Sequence, residues 1–374
     1  MVRKLVAVLC AAVVAAVPSA ARADAPPPAK VLSNFETSAP GNVVNRDCGF
    51  SEKIPGVQQS LWLFCDSEWS GTWSGFWLGA TAARGPYTPG QVPTGITELP
   101  TPPAAVGTLP SNRPPSGFLP KPTGLVLPDG TECTVPGSAY QASWITGVAR
   151  QPSTANPNKM LIVYTDVCVH PQDMTGEGFG LVEYDPSTNT LSGQKRVFTE
   201  PSGLPFQKIL GSPVFRDGYL YLYGFKCDSI VWGGCTAGKT TVARVAANPA
   251  SWQNASSYRY WTGSAWDADH NAAASVVPSA TPVAVHVDDF SSVGKGLILI
   301  EQPSIAGDFR VWRASSPTGP WTLLTTGTAP CGAQSGWNLC RAYFGHPELS
   351  TSSAMLMSYY DPTDNHVSVM SVPW

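Results

Sequence analysis

NRDCGFSEKIPGVQQSLWLFCDSEW, residues 45 to 69, places two strand-like runs on either side of an Ile-Pro-Gly-Val turn. Strand residues followed by a Pro/Gly turn and more strand residues read as a β-hairpin. If Cys48 faces Cys65 across the two strands, Asp47 falls opposite Asp66. Opposed residues have Cβ atoms about 4.5 to 5.5 Å apart, and a disulfide needs about 3.8 Å. Such a bridge would hold the two aspartates as neighbours.

The second run of this hairpin, LWLFCD (61 to 66), is the first of five apolar runs, four of which end in a polar residue. The others are MLIVYTD (160 to 166), YLYLYGF (219 to 225), GLILIEQ (296 to 302) and MLMSYYD (355 to 361). A short strand precedes each: DCGFS (47 to 51), TGVAR (146 to 150), SPVFR (212 to 216), HVDDF (286 to 290) and HPELS (346 to 350). Another follows each: GFWLGATA (75 to 82), GFGLVEYD (178 to 185), TTVARVAA (240 to 247), DFRVWRAS (308 to 315) and HVSVMSV (366 to 372). Fourth strands are read at KRVFTE (195 to 200), SYRYWTG (257 to 263) and PWTLLTTG (320 to 327). Long amphipathic helices are absent from the pattern. Five repeats of a four-stranded unit predict an all-β, five-bladed β-propeller. The last repeat leaves no room for its outer strand, so KVLSNFE (30 to 36) is expected to supply it and close the ring. Residues 85 to 140 are rich in Pro and Gly and are expected to form a long insertion between blades 1 and 2.

Residues 1 to 23 read as a secretory signal peptide: Arg3 and Lys4 precede the apolar run Leu5 to Val17, and Ala21-Arg22-Ala23 is a small-x-small cleavage site. The domain would then occupy residues 24 to 374, exported and extracellular. Removing the segment takes the formal net charge from −3 to about −6. With no basic cluster, that balance argues against nucleic acid and anionic membrane as partners. No later run is long enough to span a bilayer, and a monomer is expected. Of nine cysteines, eight remain without Cys10, an even count that suits disulfides. Sequence order suggests Cys48–Cys65, Cys133–Cys168, Cys227–Cys235 and Cys331–Cys340.

In an antiparallel hairpin, the start of the first strand and the end of the second share one edge. One rim of the ring should therefore collect Asp47, His286 and His346 from inner strands, and Asp66, Asp166 and Glu301 from their partners. Asp47 and Asp66 are the candidate catalytic pair. Two adjacent carboxylates suit glycoside hydrolysis, one attacking or activating water while the other protonates the departing oxygen. Each also raises the other's proton affinity. Turn-capping or cation-binding acids are the plainer alternative. Trp69 and Trp73 follow Asp66 and are candidates to stack on a sugar face, with His286, His346, Asp166 and Glu301 as candidate substrate contacts. No GxSxG, phosphate-binding glycine loop, CxxC or HExxH spacing occurs, and nothing calls for a metal or organic cofactor.

RDCGFS with SLWLFCD, GSPVFRDGYLYLYG with VARVAANPASW, WRASSPTGPW, and GHPELS with MLMSYYDP together resemble a family of secreted five-bladed propellers long labelled a domain of unknown function. Some of its members are endo-D-arabinanases. The resemblance covers most of the chain outside residues 1 to 23 and the Pro-rich segment. It implies hydrolysis of an arabinofuranose-containing or related cell-wall polysaccharide, with Asp47 and Asp66 matching the arabinanases' acidic pair in position and spacing. Cys65 and Ser67 depart from the Gly and Thr usual beside the second acid. The expectation from a different class is a non-catalytic propeller that binds glycan or protein through the same rim.

Overall fold

The computed structural model describes residues 30–35, 42–71, 78–93, 95–106, 115–125, 133, 140–153, 155–169, 174–199, 210–231, 234–279, 281–304, 307–331, 340–363 and 365–374. The expected signal peptide, Trp73 and much of the Pro-rich segment lie outside these residues.

Five antiparallel sheets follow one another along the chain. After β1 (Lys30–Phe35), blade 1 is β2 (Asn42–Lys53), β3 (Gln59–Gly71), β4 (Thr81–Pro86) and β5 (Thr97–Glu98). Blade 2 is β6 (Tyr140–Arg150), β7 (Met160–Val169), β8 (Met174–Asp185) and β9 (Thr190–Thr199). Blade 3 is β10 (Leu210–Arg216), β11 (Tyr219–Val231), β12 (Gly234–Ala246), β13 (Arg259–Trp261) and β14 (Trp266–Asp267). Blade 4 is β15 (Ala284–Asp289), β16 (Leu297–Gln302), β17 (Asp308–Ala314) and β18 (Thr322–Thr328). Blade 5 is β19 (Arg341–Gly345), β20 (Ala354–Asp361) and β21 (His366–Pro373), and β1 pairs with β21 as its outer strand. The two ends of the domain thus share one sheet, which ties the five-bladed propeller shut.

The near-continuous apolar runs have a packing cause. Successive strand side chains point to opposite faces, and each blade has a neighbour on both faces. Leu61, Leu63 and Cys65 pack with Ile145, Ile162 and Tyr164 of blade 2, while Trp62 and Phe64 pack with Leu356, Val367 and Val369 of blade 5. Equivalent apolar layers join blades 2 and 3, 3 and 4, and 4 and 5. The core is therefore five dry interfaces arranged around an axis, and truncating a central leucine to alanine in any of them costs about 2 to 5 kcal/mol.

Three expectations need correction. The inner strand of blade 5 is Arg341–Gly345; HPELS is the turn that follows it. Pro347 has no N–H to give a ladder, so the strand stops before it. Of the third strand of blade 1, read at 75 to 82, residues 75 to 77 lie outside the described residues and β4 begins at Thr81, while its fourth strand, β5, lies inside the segment read as insertion. Finally, the first hairpin has the expected register on either side, with Arg46 opposite Ser67 and Phe50 opposite Leu63, but Cys48 stands opposite Phe64. A bulge at Asp47–Gly49 intervenes, with φ of 67° at Cys48 and 114° at Gly49. A Cβ on Gly49 would come within 2.8 Å of Val367 Cγ1, so this bend needs glycine. Asp47 and Asp66 are consequently not a directly opposed pair.

Cys48–Cys65, Cys133–Cys168 and Cys331–Cys340 are bridged as expected. The side chains of Cys227 and Cys235 lie outside the described residues. Among the described residues, no helix is long and apolar enough to cross a membrane.

Candidate active site

The bulge of β2 has counterparts. Ladder register also breaks within β6 and near the start of β10 and β19, beside Gly147, Ser212 and Ala342. Ser212 and Ala342 have positive φ, 49° and 62°, as Cys48 does. Bulges re-aim side chains and concentrate near active sites. Asp47 and Arg341 each immediately precede a positive-φ residue on the inner strands of neighbouring blades, and they meet: Arg341 Nη2 donates to Asp47 Oδ2 at 3.1 Å. The guanidinium lies over the Tyr360 ring, 4.1 Å from its centroid. The other carboxylate oxygen, Asp47 Oδ1, is sealed from solvent and has no hydrogen-bond partner among the described residues. The Asp47 carboxylate also lies within 4.8 Å of the Cys48 and Cys65 sulfurs, which the disulfide occupies.

Asp66 sits just past the middle of β3 and is held by blade 2. Trp144 Nε1 donates to Oδ1 at 2.8 Å, and the Tyr140 hydroxyl donates to Oδ2. Both partners come from β6, four residues apart and hence on one face of the strand. Burial, and then the charge of Asp47, push the Asp66 carboxyl up to about 7; Tyr140, Trp144 and Arg341 oppose that rise. The two acids are therefore unlike. Asp47 has a cation at hydrogen-bond distance, whereas Asp66 is part-buried, faces a like charge, and can hold a proton near neutral pH.

The other sequence candidates fall elsewhere. His286 lies on the axis, 5% exposed, with its ring against both Phe50 and Phe344 at centroid distances of 5.5 and 5.0 Å. Phe50 and Phe344 are themselves 3.8 Å apart. Blades 1 and 4 are not neighbours in the ring, so this contact crosses the channel and plugs it. His286 also hydrogen-bonds Asp288 through Nε2 and Ser212 through Nδ1, the latter at 3.2 Å. His346 follows the inner strand instead of starting it, which carries it to the opposite mouth. It is fully buried against Trp62, and burial followed by the influence of His286 lowers its pKa to about 3. Asp166 is bound by Ser143 at 2.6 Å and Arg196 at 2.5 Å. Glu301 is fully buried and accepts from Ser279, Arg310 and Trp312. Trp69 is buried, 8% exposed. Of the seven candidates among the described residues, Asp47 and Asp66 are the two acids brought close enough for one charge to act on the other.

Sequence reading missed Tyr140, Trp144 and Arg341. The signal for the first two was strand alternation running back from Thr146 through YQASWI; for Arg341 it was the apolar RAYFG before the proline.

Comparison with known proteins agrees with the architecture. The first of the structures compared is Zg3597, a family 117 glycoside hydrolase produced by the marine bacterium Zobellia galactanivorans, with a TM-score of 0.51, 8% identity, and 92% of this chain and 89% of that one covered. A GH43_1 enzyme from Xanthomonas citri aligns with a TM-score of 0.45 and 11% identity over 92% of this chain and 89% of that one. CoXyl43, a GH43 β-xylosidase/α-arabinofuranosidase from a compost microbial metagenome, aligns with a TM-score of 0.46 and 9% identity over 92% and 94%. At 8% identity the likeness to Zg3597 is one of fold. No curated protein matches by sequence. The family model that does match, described as a domain of unknown function (DUF5005), spans residues 140–371, and this five-bladed propeller belongs to that family.

Proposed function

We propose that the protein is a secreted glycoside hydrolase acting on an arabinofuranose-containing or related cell-wall polysaccharide, with Asp47 and Asp66 as its catalytic pair. One observation carries this reading: two adjacent carboxylates at one mouth of the ring sit in opposite electrostatic settings. Asp47, held by Arg341, is the nucleophile or the base that activates water. Asp66, whose carboxyl is pushed up to about 7, is the acid that protonates the departing oxygen. Because the bulge removes direct opposition, the stereochemical outcome depends on the carboxyl separation reached with sugar bound, close for retention and wide for inversion. The propeller likeness to a family 117 glycoside hydrolase supports this class without choosing the sugar. Three disulfides among the described residues suit the exported life expected from residues 1 to 23.

The test is incubation with arabinogalactan and other wall glycans, followed by chromatography for released oligosaccharides and by nuclear magnetic resonance of the first-formed anomer. Wild type should release products, and Asp47→Asn and Asp66→Asn should not, with all three folded. Retention on a glycan with no new reducing ends would replace the hydrolase by a glycan-binding propeller.

A further inference from the structure

Both oxygens of Asp66 are taken by blade 2, and the two partners are chemically unequal. The Trp144 indole can only donate, so Oδ1 acts as an acceptor in either protonation state. The hydroxyl oxygen of a neutral carboxylic acid is its poorer acceptor, which puts the acid proton on Oδ2. That oxygen faces the Tyr140 hydroxyl, which both donates and accepts. When Asp66 is a carboxylate, Tyr140 donates to it. When Oδ2 carries the proton, that proton points at Tyr140 Oη, and the phenol hydrogen is released to another acceptor.

Resting on the function proposed above, we infer that Tyr140 is the group that touches the departing oxygen and that it relays the proton of Asp66. As the glycosidic C–O bond breaks, its electron pair stays on the departing oxygen, which takes the proton of Tyr140 Oη. The Oδ2 proton of Asp66 moves to Oη in the same event. The products are a neutral alcohol, a neutral Tyr140 and an Asp66 carboxylate, so one proton is delivered and no phenolate forms. Burial and the Asp66 charge push Tyr140's ionisation well above the usual phenol range, which suits a concerted relay and excludes Tyr140 as a nucleophile. Tyr140 stands at the start of β6 and is half-buried rather than sealed.

The experiment compares wild type, Asp66→Asn and Tyr140→Phe on the wall glycan and on a nitrophenyl glycoside of the released oligosaccharide, whose leaving group needs no proton. The relay predicts that Tyr140→Phe, folded by circular dichroism, loses about 10²- to 10⁴-fold in kcat/KM on the glycan, the range general acid catalysis supplies. Its loss on the nitrophenyl substrate should be far smaller, the same pattern as Asp66→Asn. Tyr140→Phe close to wild type on both, or equally impaired on both, overturns the relay while the Asp66 pattern keeps the hydrolase. A wild type that cuts no glycan overturns the hydrolase, and the relay with it. Should Tyr140→Phe not fold, a proton inventory of wild type in mixed H₂O and D₂O decides: a curved plot fits two protons in flight, and a straight one overturns the relay.

Discussion

The two mouths of the ring both gather carboxylates, yet they treat them differently. At the front, Asp47 and Asp66 each receive donors from a neighbouring blade, Arg341 from blade 5 and Tyr140 with Trp144 from blade 2. At the rear, Glu52, Asp288 and Glu348 line a cleft of about 450 Å³. Burial first, and then Glu348 and Asp288, push Glu52 up to about 8. Glu348 is raised chiefly by burial although Ser51 and Ser60 donate to it, at 2.5 and 3.0 Å. Since Ser51 spends its one hydrogen on Glu348, its oxygen accepts from His346 Nδ1–H at 2.7 Å, leaving His346 neutral and fixed. Perturbed acidity alone therefore does not mark the chemistry. What separates the mouths is an arrangement of unlike partners: a cation for one acid and hydrogen-bond donors for the other. Phe50, His286 and Phe344 lie between them.

The largest effect should come from removing the front pair's charge difference. Asp47→Asn is expected to abolish measurable glycan hydrolysis, and, with the like charge gone, carboxyl ¹³C resonances should show Asp66 titrating below about 7. An Asp66 midpoint that does not fall in this variant would mean the two acids do not sense each other. Next in size is the pH dependence. If Asp66 must be protonated to act, kcat/KM should fall as pH rises through about 7, an apparent value that belongs to the pair. Arg341 lowers the Asp66 value, so Arg341→Gln should move this alkaline limb upward. A limb that stays in place would detach Arg341 from the acid.

How much of this was legible in the sequence follows from how local each feature is. Five apolar runs revealed the ring because burial on both faces of every middle strand needs uninterrupted hydrophobicity. The closing role of residues 30 to 35 followed from counting strands. The bulge of β2 was less visible: Gly49 was its one mark, and the pairing rule that put Asp47 opposite Asp66 assumes an unbroken ladder. The partners of the acids were not legible, since they depend on which strand ends converge around the axis. His346 shows the cost. Placing the blade 5 strand at HPELS put this residue at the front, when Pro347 had already ended the ladder.

A medium effect belongs to the staple. Replacing Cys48 and Cys65 together by serine releases a 17-residue separation, worth about 3 kcal/mol in the chain-entropy account. It also frees the bulge carrying Asp47. Thermal unfolding should occur earlier, and turnover assayed well below that temperature should fall as well. The matching replacement of Cys133 and Cys168, a 35-residue separation, should lower stability at least as much in that account. A loss of turnover no greater than in this second variant would remove any special link between the first bridge and the site.

The smallest effect is at the rear and tests the separation of the mouths most directly. Glu52 has a folded pKa of about 8 against an ordinary 4.5. Its raised value means that its contribution to stability is fully present below about 4.5 and is lost as pH rises through about 8. Glu52→Gln keeps the side chain neutral at every pH. Its stability relative to wild type should therefore climb across that window. Because Glu52 is only half-buried, solvent screening limits the gain at the alkaline end to about 1 kcal/mol. Urea unfolding at pH 4 and pH 9 measures it. The variant should leave the alkaline limb of glycan hydrolysis in place, since Phe50, His286 and Phe344 stand between Glu52 and Asp66. A shifted limb would show that the rear acids share their charge with the catalytic pair, and the contrast between the two mouths would be lost.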